Sequence, residues 1–135
     1  MNTYPSIRVG IAGATGYAGQ ELLALLSRHP HVKVEAAMSS SADSAARPLP
    51  RLARIWDGRV EPLNKEALAE RSDVVFLAVP EQAAAELAPP LVESGVRVID
   101  LSGAFRIRDQ AARSRWYPAT KTLPHGAVFH PDSTV

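Results

Sequence analysis

Four glycines spaced three apart, in Gly10-Ile-Ala-Gly13-Ala-Thr-Gly16-Tyr-Ala-Gly19, are the residues of this sequence with the clearest chemical meaning. Glycine tolerates positive φ and lets a phosphate approach the backbone, where N–H groups and a helix dipole meet its charge. The stretch leaves a predicted strand and opens a predicted helix, the setting in which such a loop cradles a dinucleotide pyrophosphate. On this reading the cofactor site includes Gly10, Gly13, Thr15, Gly16, Tyr17 and Ala18. Thr15 adds a hydroxyl donor and Tyr17 an aromatic ring, although both residue types serve equally as caps or surface. The spacing also differs from G-x-G-x-x-G, so a glycine-rich packing turn is the competing interpretation.

The tip of the second predicted strand bears on which dinucleotide is bound. Sites for NAD usually place Asp or Glu there to hold the ribose 2′-hydroxyl. Here the chain reads Ala36-Ala37-Met38-Ser39-Ser40-Ser41, and Glu35 lies earlier, at a structural position within the strand. Ser39 and Ser40 without a carboxylate suit the 2′-phosphate of NADP. The nearest cation, Arg47, is not adjacent in sequence. Two further loops follow predicted strands, where open α/β sheets bind ligands. Ala78, Val79 and Pro80, followed by Glu81, could pass along the nicotinamide ribose. In the Asp100–Arg106 loop, Asp100 reads as a loop-bracing acid. Ser102 and Arg106 could present a hydroxyl and a guanidinium fork to phosphate, or lie on the surface.

Other chemistries find little support. The chain has no cysteine, so it supplies no thiol nucleophile, disulfide or thiolate metal site. His29 and His31 flank a helix end, and His125 and His130 have no acid at motif spacing. No metal-ligand pattern or nucleophile elbow is visible. Fifteen basic and fourteen acidic side chains nearly cancel, which gives no electrostatic case for nucleic acid or an anionic membrane. Several arginines fall between Arg97 and Arg115, read as a solvated helix face or an anion site. With 46% hydrophobic and 21% charged residues and no apolar leader or span, a cytoplasmic globular protein is expected.

The elements that must position these residues alternate. A β-rich run at Ile7–Ala12 precedes a helix at 18–28, with Leu22, Leu23, Leu25 and Leu26 as its apolar face. His29-Pro30 closes that helix, and Val32–Met38 forms the next strand. Residues 39–62 show no clean period and read as mostly loop. Asn64 can cap a short helix through Glu70. The apolar run at 73–79 reads as an inner parallel strand. A helix over Glu81–Glu93 is expected to break at Pro89-Pro90, with Gly95 as its C-terminal cap. A strand at 96–101 and a helix at 108–116 follow. The pattern predicts a Rossmann-type α/β fold, a doubly wound, mostly parallel sheet with helices on both faces. The domain is expected over residues 1–118, with 119–135 a loop or tail.

Three pieces of the sequence carry a resemblance to a known family: GIAGATGYAGQELLALLSRHP, DVVFLAVPEQAAAELAPPLVESGVRVIDLSGAFRIRD, and the RWYP that follows. In this order they resemble the amino-terminal part of the N-acetyl-gamma-glutamyl-phosphate reductases, within the semialdehyde dehydrogenase family of arginine and related amino-acid biosynthesis. The resemblance implies an oxidoreductase that reduces an acyl phosphate to an aldehyde with NADPH, through a cysteine thioester and a histidine acid-base. It implies that Gly13, Thr15, Gly16 and Tyr17 hold the dinucleotide phosphates and that Ser39 and Ser40 lie near the 2′-phosphate. It also implies that Ser102 and Arg106 face the cofactor or the substrate phosphate.

Three departures stand out. Ser39-Ser40-Ser41 lacks the arginine of the family's serine-arginine pair, and Glu81 replaces a common histidine. After Ala127-Val128-Phe129 the family continues through tyrosine-glycine-leucine-proline to its cysteine, whereas this sequence reads His130-Pro-Asp-Ser-Thr-Val135. The expectation is therefore the cofactor domain of such a reductase without its catalytic half. The alternatives are the cofactor domain of another semialdehyde dehydrogenase and a free-standing Rossmann module without catalysis. Oligomeric state is not legible.

Overall fold

The computed structural model describes residues 4–118; the predicted tail, with His125 and His130, lies outside them. In chain order the elements are β1 (Ile7–Ala12), α1 (Tyr17–Ser27), β2 (Val32–Met38), β3 (Arg47–Pro48), a 3-10 turn (Pro50–Leu52), β4 (Arg59–Val60), α2 (Lys65–Arg71), β5 (Val74–Leu77), α3 (Glu81–Glu93), β6 (Arg97–Asp100) and α4 (Gln110–Trp116). The main sheet has the order β2-β1-β5-β6, and every pairing in it is parallel. The α/β Rossmann-type architecture expected from the alternating pattern is thus present.

Apolar side chains from the two faces of the sheet enter separate cores. On one face Val9, Ile11 and Ala37 pack with Leu23 and Ala24 of α1. On the other, Val75 and Leu77 meet Leu68 of α2 and Ala84, Leu87 and Leu91 of α3. Each fully buried leucine contributes roughly 2 kcal/mol of transfer free energy. The leucine face of α1 is narrower than expected: Leu23 is buried, but Leu25 is 63% exposed. At 100° per residue, Leu25 lies about 200° around the helix from Leu23, on the solvent side.

One further expectation is corrected. Helix α3 does not break at Pro89-Pro90 but runs through to Glu93. The prolines remove two N–H donors, yet the burial of Leu87, Ala88 and Leu91 on either side holds the turn in place. The helix ends in a Schellman motif, with the Gly95 N–H donating to the Val92 carbonyl and the Val96 N–H to that of Leu91. Residues 39–62 are mostly loop, as expected, but the loop carries three short elements. β3 and β4 form an antiparallel ribbon, and Leu49, Leu52 and Val60 from this stretch are buried against α1. Glu61 then bridges to Met38 in parallel register, so the ribbon extends the sheet beyond β2.

Ion pairs brace the sheet. The register of β1 and β2 slips between Val9 and Gly10, which leaves Glu35 without a cross-strand partner. Arg71 donates to the Glu35 carbonyl and also pairs with Glu61 at 2.8 Å. The Glu35 carboxylate binds Lys33, which holds its pKa below the usual range. At the other end of β1, Arg8 grips Asp73 at 2.7 Å and ties the starts of β1 and β5 together. Hydrogen bonds from the Arg8 side chain and backbone lower the Asp73 pKa.

Candidate functional site

The order of the strands creates a crevice. From β1 the chain winds outward through α1 to β2, whereas β5 winds the opposite way through α3 to β6. The carboxyl ends of β1 and β5 therefore face a topological switch point, where sheets of this type bind ligands. The Gly10–Gly19 loop and the Ala78–Pro80 turn meet there, joined by the Ala78 N–H donating to the Ala12 carbonyl at 2.9 Å.

The four glycines have different reasons for being glycine. Gly10 lies within β1, where a side chain would collide with Ser72 and press on Leu68 of α2. Gly13 has φ +86° and backs directly onto the Ala78 carbonyl. Gly19 lets α1 press onto the Gly13 carbonyl and Ala14. Gly16 is the exception, because a Cβ there would have only the Gly13 carbonyl oxygen nearby, at 3.6 Å. Packing explains the first three but not Gly16, where a Cβ would be in no more than ordinary contact.

The N–H groups of Gly13 and Ala14 both donate to the Met38 carbonyl at 2.8 Å, so the loop is pinned to the end of β2. Gly16 is the N-cap of α1 and offers no side-chain cap. The N–H groups of Tyr17 and Ala18, in the first turn of α1, have no intrahelical acceptor. They lie in an exposed stretch, Gly16–Ala18, with Tyr17 87% exposed. Donors of this kind at a helix start can receive an anion.

A groove of about 570 Å³ lies along this helix start. One wall is Thr15, Gly16, Tyr17 and Gln20; the other is the ribbon segment Arg47–Arg51. Gln20 braces the loop by donating to the Thr15 carbonyl at 2.8 Å. Leu49 anchors the second wall in the core. Among the described residues two arginines and no acid line the groove, and one of these arginines, Arg51, is paired with Glu21 of α1 at 3.1 Å. Gln20 and Arg51 were not singled out by sequence reasoning: Gln20 is one polar residue of α1 with no motif around it, and Arg51 lies in 39–62, which lacks the periodicity that marks buried elements. The one hint was Arg47-Pro-Leu-Pro-Arg51, in which prolines restrict the backbone on both sides of a leucine.

Ser39 is buried, and its hydroxyl donates to the Ser41 carbonyl at 2.6 Å and contacts the Ser44 hydroxyl. Ser40 faces solvent. After β6, Asp100 braces its own loop by accepting from the Ser102 N–H at 2.9 Å and the Ser102 hydroxyl at 3.0 Å. The Ser102 oxygen in turn accepts from the Ala104 N–H. Tyr117 lies against Gly103, where a side chain would strike its ring, so the RWYP piece packs on the loop after β6. Arg106 is exposed, and Glu81 sits in the first turn of α3. Among the arginines between 97 and 115, Arg113 is buried and donates to the Ile107 and Arg108 carbonyls, so that group is not simply a solvated helix face. Among the described residues no cluster of metal-ligating side chains occurs, and no helix is long and apolar enough to cross a membrane.

Comparison with known proteins agrees with this fold. The profile of the family described as semialdehyde dehydrogenase, NAD binding domain, matches residues 8–122. The N-acetyl-gamma-glutamyl-phosphate reductase of Brevibacillus brevis is 41% identical over 128 residues, covering 91% of this chain and 37% of that protein. The protein of the same name from Neisseria meningitidis serogroup C is 47% identical over 120 residues, covering 87% and 34%. The chain thus spans about a third of the length of these relatives. A crystal structure of aspartate semialdehyde dehydrogenase with NADP from Candida albicans superposes with a TM-score of 0.61 at 25% identity, covering 78% of this chain and 32% of that one.

Proposed function

The chain belongs to the semialdehyde dehydrogenase NAD-binding family, and from that premise we propose that it is the NADP-binding part of an N-acetyl-gamma-glutamyl-phosphate reductase. The observation that carries this reading is the groove in front of Gly16: the helix-start N–H groups on one wall and two arginines on the other, of which Arg51 is paired with Glu21. That arrangement fits an anionic dinucleotide. NADP over NAD is supported by the absence of a carboxylate at the tip of β2 and by the NADP in the Candida albicans relative.

In this reading Gly13 sets the turn, and Gly16, Tyr17 and Ala18 receive the pyrophosphate on backbone N–H groups. Thr15 adds its hydroxyl. Ser40 lies toward the adenosine ribose, and Ser39 holds the loop that carries it. Ala78, Val79 and Pro80 line the path of the nicotinamide half. Ser102 and Arg106 lie toward the acyl phosphate, with the Arg106 fork available to its phosphate. The cofactor supplies a hydride when bound. The chain has no cysteine, so it offers no thiol to carry the acyl group. The higher identity to N-acetyl-gamma-glutamyl-phosphate reductases than to the aspartate enzyme favours the former substrate class. A cytoplasmic setting belongs to the same reading.

Calorimetric titration tests it. Saturable binding of NADPH, tighter than NADH, is expected. Binding of neither nucleotide would overturn the proposal, and tighter binding of NADH would overturn its NADP half. With N-acetylglutamyl phosphate added, no NADPH oxidation is expected from this chain.

A further inference from the structure

We infer that Arg47, which reaches the groove from the ribbon and not from the end of β2, is the cation that selects the 2′-phosphate of NADP. The inference rests on the dinucleotide reading above and assigns a specificity residue within it. After Met38 the chain reads Ser39-Ser40-Ser41 without the arginine of the resembling family's serine-arginine pair, and Arg47 is the first cation that follows. The ribbon brings one in. Arg47 pairs with Val60, and the adjacent Glu61 bridges to Met38. Two inter-strand steps of about 4.8 Å therefore separate Arg47 from the end of β2. An arginine side chain can span most of that distance.

The surroundings keep Arg47 available. Of the two arginines lining the groove, Arg51 is paired with Glu21 at 3.1 Å. Among the described residues the Arg47 guanidinium has no hydrogen bond or ion pair, and the side chain is exposed. Its backbone is held by pairing with Val60, by the restriction of Pro48 and by the buried Leu49. Binding a phosphate there costs side-chain ordering but little loop ordering. The planar fork of arginine matches a phosphate dianion, which NADP carries on its ribose and NAD does not. A contact with the pyrophosphate would favour both nucleotides equally, and this difference gives the test its power.

Arg47→Gln and Arg51→Gln are each titrated calorimetrically with NADPH and with NADH, alongside the wild type. Circular dichroism checks that both variants are folded. The expected result is that Arg47→Gln weakens NADPH about ten- to a hundredfold and leaves NADH within about twofold. An equal loss for both nucleotides would place Arg47 on the pyrophosphate and overturn the inference. So would a retained NADPH preference, or loss of that preference in Arg51→Gln only. In these three cases the wild type still binds NADPH and the dinucleotide reading stands. A wild type that binds neither nucleotide removes both.

Discussion

A methyl group added at Gly13 would drive into the Ala78 carbonyl from a backbone already at φ +86°, whereas one added at Gly16 would meet only the Gly13 carbonyl oxygen at an ordinary 3.6 Å. The same substitution should therefore read out two different roles. Gly13→Ala is expected to cost on the order of 3 kcal/mol or more, through left-handed strain and collision with backbone that cannot move aside. Gly16→Ala, at φ −75°, should leave stability within about 0.5 kcal/mol. It should nonetheless weaken NADPH about tenfold or more, because the methyl occupies the ligand's approach. Denaturant melts and calorimetry on the two variants check the pair. The glycine loop was legible from the residues, but the division of labour among its glycines was not. It depends on what each Cα faces, and Ser72 and Ala78 lie far along the chain from the glycines they touch.

Among the elements, those that local chemistry ends were legible and those that packing sustains were not. Asn64 accepts from the Ala67 N–H at 2.8 Å to start α2, and Gly95 closes α3 with φ +85°. Nothing lies within 4 Å of a Cβ at Gly95, so Gly95→Ala isolates the cost of the left-handed conformation. A loss of about 1 kcal/mol is expected, read as a lower denaturation midpoint with an unchanged slope. Pro89-Pro90 shows the converse, since a local rule predicted a break that burial of Leu87 and Leu91 overrides.

The link between β1 and β5 makes a further prediction at this scale. Arg8 holds the Asp73 pKa below its usual value, so the native state favours the carboxylate more than the unfolded chain does. The resulting stability is complete above the unfolded pKa and fades as pH falls through the lowered native value. The melting-temperature gap between wild type and Asp73→Asn should thus be present at pH 7 and close in strong acid. Thermal melts across pH 7 to 2 would show it.

For the molecule as a whole, a ligand bound only by the native state must stabilise it. At a hundred times its dissociation constant NADPH should add about 2.7 kcal/mol, visible as a rise in melting temperature that grows with concentration. The sequence by itself determined the alternation of strands and helices, the strand-turn-helix setting of the glycine loop, the missing acid after Met38 and the absence of any thiol. These are properties of local pattern and composition, readable wherever neighbours in sequence are neighbours in space. Only the tertiary structure decided that the loop over 39–62 carries a short ribbon, that Leu25 faces outward, and that Arg47 and Arg51 stand across a groove from Gly16. Two-residue strands carry no periodicity. Their positions follow from long-range contacts, in which Leu49, Leu52 and Val60 close over α1 and carry the arginines with them.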